Sequence, residues 1–225
     1  MRPDPFILAA LIAGSGYAVW SQLRHEPVVV AAPPAALAIG EVLEDVVLKD
    51  PTGQPHALSQ WKGKAATVLY FWSLECPCTE AVEGRLRAVY EKYEKKGVTF
   101  IGVDSHPDDK GKDVREKMGK LYAPYYMLMD PTGKLARLAG GRTATDLVVL
   151  DADWKIRYRG AIDDAIAKPK KAYLAPALDA VLSGRDPVPA ETVPYGCPFP
   201  GIEGSCPIEE AAPKPAAPDP KKPCA

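Results

Sequence analysis

Cys76-Pro77-Cys78 sits where an apolar run ends and a charged, periodic run begins. Ala66 to Trp72 reads as a strand, and the helical pattern that follows opens at Pro77. This delivers a thiol to the first turn of a helix, where unpaired N–H groups and a partial positive charge favour an anion such as a thiolate. A cysteine in such a place has a lowered pKa and greater nucleophilicity. Glu75 and Glu80 oppose ionisation while the helix terminus favours it. Cys76 is therefore the candidate nucleophile. The competing reading is a small hydrophobe buried at a strand end. Cys78, one residue beyond Pro77, is a candidate resolving thiol, although a Cys-x-Cys disulfide closes a tight, strained and easily reduced ring.

Three further cysteines lie near the C-terminus. Cys197 and Cys206 flank a turn-rich loop and either form a structural disulfide or leave Cys197 to fold back and resolve Cys76. Cys224, in Pro/Ala/Lys-rich sequence, is expected to be unpaired. With five cysteines, at most two internal pairs form at once. His106 follows the strand Val98 to Asp104, at the end where parallel α/β sheets build sites. It is either a base, a metal ligand or a solvated loop residue.

The elements that must position these groups follow from periodicity. Val82, Leu86, Val89 and Tyr93 form one stripe of an amphipathic helix that stops at Gly97. Val98 to Asp104 is the next strand, expected to lie parallel to the first. Val114, Met118 and Leu121 mark a second helix, Tyr125 to Met129 a short strand, and Lys134 to Ala139 a short helix. Leu147 to Leu150 and Lys155 to Arg159 form a hairpin, and Leu174 to Val181 a last helix. Upstream, Ile39 to Gly63 reads as a short β-meander, with Val46-Val47-Leu48 and Ala57-Leu58 on either side of the turn Asp50-Pro51-Thr52-Gly53. The sum is a three-layer α/β domain with a mixed sheet.

A chain of 225 residues holds one domain of about 150 residues plus flanking segments. A formal net charge of −1 supplies no field for nucleic acid. Phe6 to Trp20 carries no charge and fits a signal-peptide core or a membrane anchor, so residues 1–23 are assigned that role. Residues 24–38 form a Pro/Ala linker and 39–188 the domain. Ten prolines fall within residues 189–225, which reads as an extended, cysteine-bearing tail. Either role for the N-terminus places the domain outside the cytoplasm, periplasmic or anchored facing the periplasm, where disulfides persist.

Phe71-Trp72-Ser73-Leu74-Glu75-Cys76 resembles the approach to the active-site cysteine of thioredoxin-fold proteins. Gly40-Glu41-Val42-Leu43, Asp50-Pro51-Thr52-Gly53 and Trp61-Lys62-Gly63-Lys64 are similar to the redoxin, or AhpC/TSA-like, branch. Its peroxiredoxin-like members resemble Leu150-Asp151-Ala152-Asp153, Arg157 to Asp164 and the tail Pro194-Tyr195-Gly196-Cys197-Pro198. The resemblance spans about residues 40 to 198. It implies a thioredoxin-like three-layer fold with a central mixed β-sheet, an N-terminal β-hairpin extension and a proline-rich C-terminal tail.

It also implies thiol-dependent oxidoreductase chemistry at Cys76. Ser73 matches the hydroxyl position of the peroxiredoxin pattern, while Leu69 replaces its proline. Thr79 stands where thioredoxins carry their second cysteine. Thr145 occupies the place of the thioredoxin cis-proline or the arginine of many peroxiredoxins, with Arg142 close in sequence. The expected partner is a thiol- or disulfide-bearing protein or a small oxidant, and no cofactor is assigned. The alternatives are a copper carrier using the Cys76 and Cys78 thiolates, and a catalytically silent binding module.

Overall fold

The computed structural model describes residues 35–202. The N-terminal apolar run, Cys206 and Cys224 lie outside the described residues. Seven strands form one sheet: β1 (Val47–Lys49), β2 (Pro55–Ala57), β3 (Ala66–Trp72), β4 (Val98–Asp104), β5 (Tyr126–Met129), β6 (Leu147–Asp151) and β7 (Ile156–Gly160). Their spatial order is β2-β1-β5-β4-β3-β6-β7. Strands β3, β4 and β5 run parallel, whereas β6 and β7 pair antiparallel beyond β3. The β1–β2 hairpin adds to the far edge through an antiparallel contact with β5. This is the expected mixed sheet, thioredoxin-like with an N-terminal hairpin.

Four helices cover it: α1 (Pro77–Tyr93), α2 (Gly111–Leu121), α3 (Lys134–Ala139) and α4 (Leu174–Leu182). Every residue of β3 is buried, because this central strand is covered on both faces. Its side chains alternate between layers. Val68, Tyr70 and Trp72 pack with Val82 and Leu86 of α1 and Leu178 of α4. Leu69 and Phe71 pack on the other face with Leu135 and Ala139 of α3. Fully burying a side chain such as Leu86 stabilises the fold by about 1.5–3 kcal/mol before entropy is counted.

Helix α1 begins as its sequence requires. Cys76 is the N-cap, with extended dihedrals (φ −80°, ψ 115°), and Pro77 occupies the first helical turn. A short 3₁₀ turn, Glu94–Lys96, follows, and Gly97 ends it with φ +82°, a left-handed conformation that glycine adopts without steric cost. Strand β3 and helix α1 therefore meet at Ser73 to Cys76, beside the C-terminal end of β4. Among the described residues, no helix is long and apolar enough to cross a membrane.

Candidate active site

Cys76 is only 3% exposed. Its Sγ accepts a hydrogen bond from the backbone N–H of Cys197 at 3.4 Å, so the C-terminal segment lies directly on the helix cap. The thiols of Cys76, Cys78 and Cys197 are within mutual hydrogen-bonding reach. No disulfide joins these three to one another. The thiols of Cys197 and Cys78, and then their backbone N–H groups, hold Cys76 far below the usual thiol range, although burial opposes this. The same contacts, with burial, push Cys78 upward. Of Cys76 and Cys78, Cys76 is therefore the one favoured as the thiolate.

A pocket of about 90 Å³ opens over the thiol, lined by Ser73, Glu75, Cys76, His106, Cys197, Pro198 and Phe199. The structure thus brings together Ser73, Cys76, Cys78, Cys197 and His106. Thr145 is placed differently. It is buried with φ +88°. Its N–H donates to the Phe71 carbonyl at 2.8 Å, and its hydroxyl donates to the Tyr195 carbonyl. Thr145 therefore helps hold the tail. Arg142, only partly buried, lowers Asp146, whose carboxyl burial nonetheless pushes up to about 6.

The tail is seated by strand-like pairing. Ala144 N–H donates to the Cys197 carbonyl (2.8 Å), Phe199 N–H donates to the Arg142 carbonyl (3.1 Å), and Thr143 bridges Pro198 antiparallel. The Phe199 ring meets Phe71 edge-on at 6.5 Å. Upstream, the Tyr195 hydroxyl donates to Asp163, which also pairs with Arg85 at 2.7 Å.

Gly196 makes the close approach feasible. Its φ is +129°, and a Cβ there would stand 1.8 Å from the Ala144 carbonyl oxygen. Gly196→Ala should therefore unseat the tail and uncover Cys76. Alkylation of Cys76 by a maleimide, followed by mass spectrometry, is expected to accelerate about tenfold or more in this variant. An unchanged rate would show that the tail does not limit access.

Beneath the pocket lies a set of buried carboxyls. Asp109 accepts hydrogen bonds from the Leu74 N–H (2.7 Å) and the Ser73 hydroxyl (3.4 Å), tying the loop before Cys76 to the segment after β4. His106 Nδ1 stands 3.4 Å from the other Asp109 oxygen. Asp104, fully buried, has its carboxyl pushed up to about 8 by burial and then by Asp109. Sequence reasoning missed Asp104, Asp109 and Tyr195. For the two aspartates, the only signal was their closeness to His106.

The sign of the Asp104 effect follows from linkage. Between its unfolded value of about 3.9 and its folded value, the native state holds a proton that the unfolded state releases. Stability from this site is complete at low pH and is lost as pH rises towards about 8, by at most about 1.4 kcal/mol per unit. Asp104→Asn keeps an uncharged oxygen acceptor for the His106 N–H. In urea denaturation it should match the wild type near pH 3.5 and exceed it increasingly as pH rises to 8. Equal midpoints at both pH values would contradict the assignment.

Among the described residues, no group of three or more His, Cys, Asp or Glu side chains is arranged to hold a metal ion. Residues 39–159 match the AhpC/TSA family. The chain is 32% identical over 98 residues to the thiol-disulfide oxidoreductase ResA of Geobacillus kaustophilus, covering 44% of this chain and 52% of that protein. It is 28% identical over 130 residues to the chloroplastic peroxiredoxin Q of Suaeda salsa, covering 55% and 59%. The chain thus spans about half the length of the curated relatives it matches. A solved uncharacterized conserved protein from Geobacillus kaustophilus superposes with a TM-score of 0.65 at 28% identity, over 75% of this chain and 97% of that one.

Proposed function

Because this chain belongs to the AhpC/TSA family, we propose that it is a thiol–disulfide oxidoreductase with Cys76 as nucleophile and Cys197 as resolving thiol. The observation that carries this reading is the Cys197 N–H on the Cys76 sulfur, with the two thiols in reach of each other. The Cys76 thiolate attacks one sulfur of a substrate disulfide, and the other sulfur leaves as a thiolate. The Cys197 thiol gives up its proton and attacks the Cys76 sulfur of the mixed disulfide, releasing the second substrate thiolate. The substrate gains two electrons, which the chain gives up in forming the Cys76–Cys197 bridge. The reverse sequence oxidises a dithiol.

Similarity to a peroxiredoxin supports a second use of the same thiol. Attack on a peroxide oxygen would give a sulfenic acid that Cys197 condenses with loss of water. Polarising the O–O bond calls for a nearby cation, and the pocket lining of Ser73, Glu75, Cys76, His106, Cys197, Pro198 and Phe199 includes no lysine or arginine. Disulfide exchange is therefore the primary reading. The apolar run Phe6 to Trp20 supports an extracytoplasmic setting. Turnover of insulin, bis(2-hydroxyethyl) disulfide and hydroperoxides by wild type and by Cys76→Ser tests the proposal. Disulfide turnover that depends on Cys76 is expected, and activity that survives in the variant rejects the role of Cys76.

A further inference from the structure

Cys78 has no part in the two-thiol cycle above, yet it completes a cluster of three sulfurs. We infer that Cys78 is the exit thiol of a three-cysteine relay, taking the disulfide from Cys76 and presenting it, as Cys78–Cys197, to an external dithiol reductant. This rests on the proposed roles of Cys76 and Cys197.

The three thiols the transfer needs already neighbour one another in the fold. Each of the three thiols is within hydrogen-bonding reach of the other two, and Cys78 stands in the first turn of α1, two residues from the Cys76 cap. Of the three pairings, Cys76–Cys78 closes the tight Cys-x-Cys ring, whereas both bridges to Cys197 join separate segments. In the relay step the Cys78 thiol loses its proton to water. Its thiolate attacks the Cys197 sulfur of the Cys76–Cys197 bridge, the Cys78–Cys197 bond forms, and Cys76 leaves as a thiolate. No electrons are gained or lost, because one disulfide replaces another.

Two features set the direction. The favoured leaving sulfur in an exchange is the one best stabilised as a thiolate. Cys76 keeps the helix N-terminus and the N–H groups of Cys78 and Cys197 after the bridge has moved, because these donors belong to the backbone. In the reduced cluster Cys78 is pushed the other way by the Cys197 and Cys76 thiols, a push that falls once those two are bridged and Cys78 is needed as the attacking thiolate. Accessibility points the same way: Cys76 is 3% exposed, while Cys78 is only partly buried. An incoming dithiol therefore meets Cys78 more readily than Cys76. The relay also returns the Cys76 thiolate before the protein has been reduced again.

Disulfide mapping tests the step. The full chain is reduced, treated anaerobically with one equivalent of bis(2-hydroxyethyl) disulfide, quenched in acid, labelled with N-ethylmaleimide and digested for mass spectrometry. The wild type should yield a Cys78–Cys197 peptide with Cys76 labelled. Cys78→Ser should yield Cys76–Cys197, with labelling of Cys76 reduced about tenfold or more. A wild-type bridge that stays at Cys76–Cys197, or that forms between Cys197 and Cys206, overturns the relay. Oxidation of Cys197 that persists in Cys76→Ser overturns the two-thiol cycle itself, so the two failures are distinguishable.

Discussion

Cys76→Ser is expected to lower disulfide turnover by about a thousandfold or more while leaving the fold intact. Serine is close to cysteine in size, and its hydroxyl oxygen can accept the Cys197 N–H that meets the sulfur in the wild type. The Thr79 N–H still donates to the carbonyl of residue 76, at 3.1 Å in the wild type. What is lost is an ionisable nucleophile. The helix terminus and the N–H groups of Cys78 and Cys197 stabilise a thiolate, but a serine hydroxyl stays protonated in the same field. Circular dichroism and thermal unfolding should match the wild type, which separates a chemical loss from a folding loss. A variant that retained turnover would end the thiol reading and leave a binding module as the better account.

Cys197→Ser should produce a different failure. The first attack by Cys76 proceeds, but the mixed disulfide has no adjacent thiol seated on the Cys76 sulfur. Resolution then relies on strained closure by Cys78 or on external thiol, and turnover is expected to fall about a hundredfold. The mixed disulfide should accumulate and be visible as a mass adduct on the Cys76 peptide. Proximity sets the size of the effect, because the fold has already brought residue 197 against residue 76 and the attack is intramolecular. If Cys197→Ser turns over normally and Cys78→Ser accumulates the adduct, the resolving role belongs to Cys78.

Much of this arrangement was legible before folding was considered. The buried run Ala66–Trp72, the proline at the start of α1 and the apolar stripe through Val82 and Leu86 stand where periodicity placed them. The Asp50 to Gly53 turn and the hairpin around Asp151 to Trp154 also follow local chemistry. Asp50 and Asp151 each accept backbone N–H groups within their own turns. The buried acids were harder to foresee. An aspartate at a strand end reads as a solvated loop residue unless the covering layer is known, and it is burial, reinforced by the neighbouring Asp109, that pushes the Asp104 carboxyl up to about 8.

The strand–Cys–Pro–Cys–helix order by itself determined that Cys76 would cap a helix, since capping, proline placement and burial of a central strand act over a few residues. Only the tertiary structure decided which sulfur meets it. Cys197 lies 121 residues away, and its approach depends on a tail paired with residues 142–145, on the Thr145 hydroxyl bonded to Tyr195, and on the absence of a side chain at Gly196. These contacts join segments with no local pattern in common. The cost of closing so long a loop is met by the folding of the whole sheet, so no short stretch of sequence could announce the meeting of the three thiols.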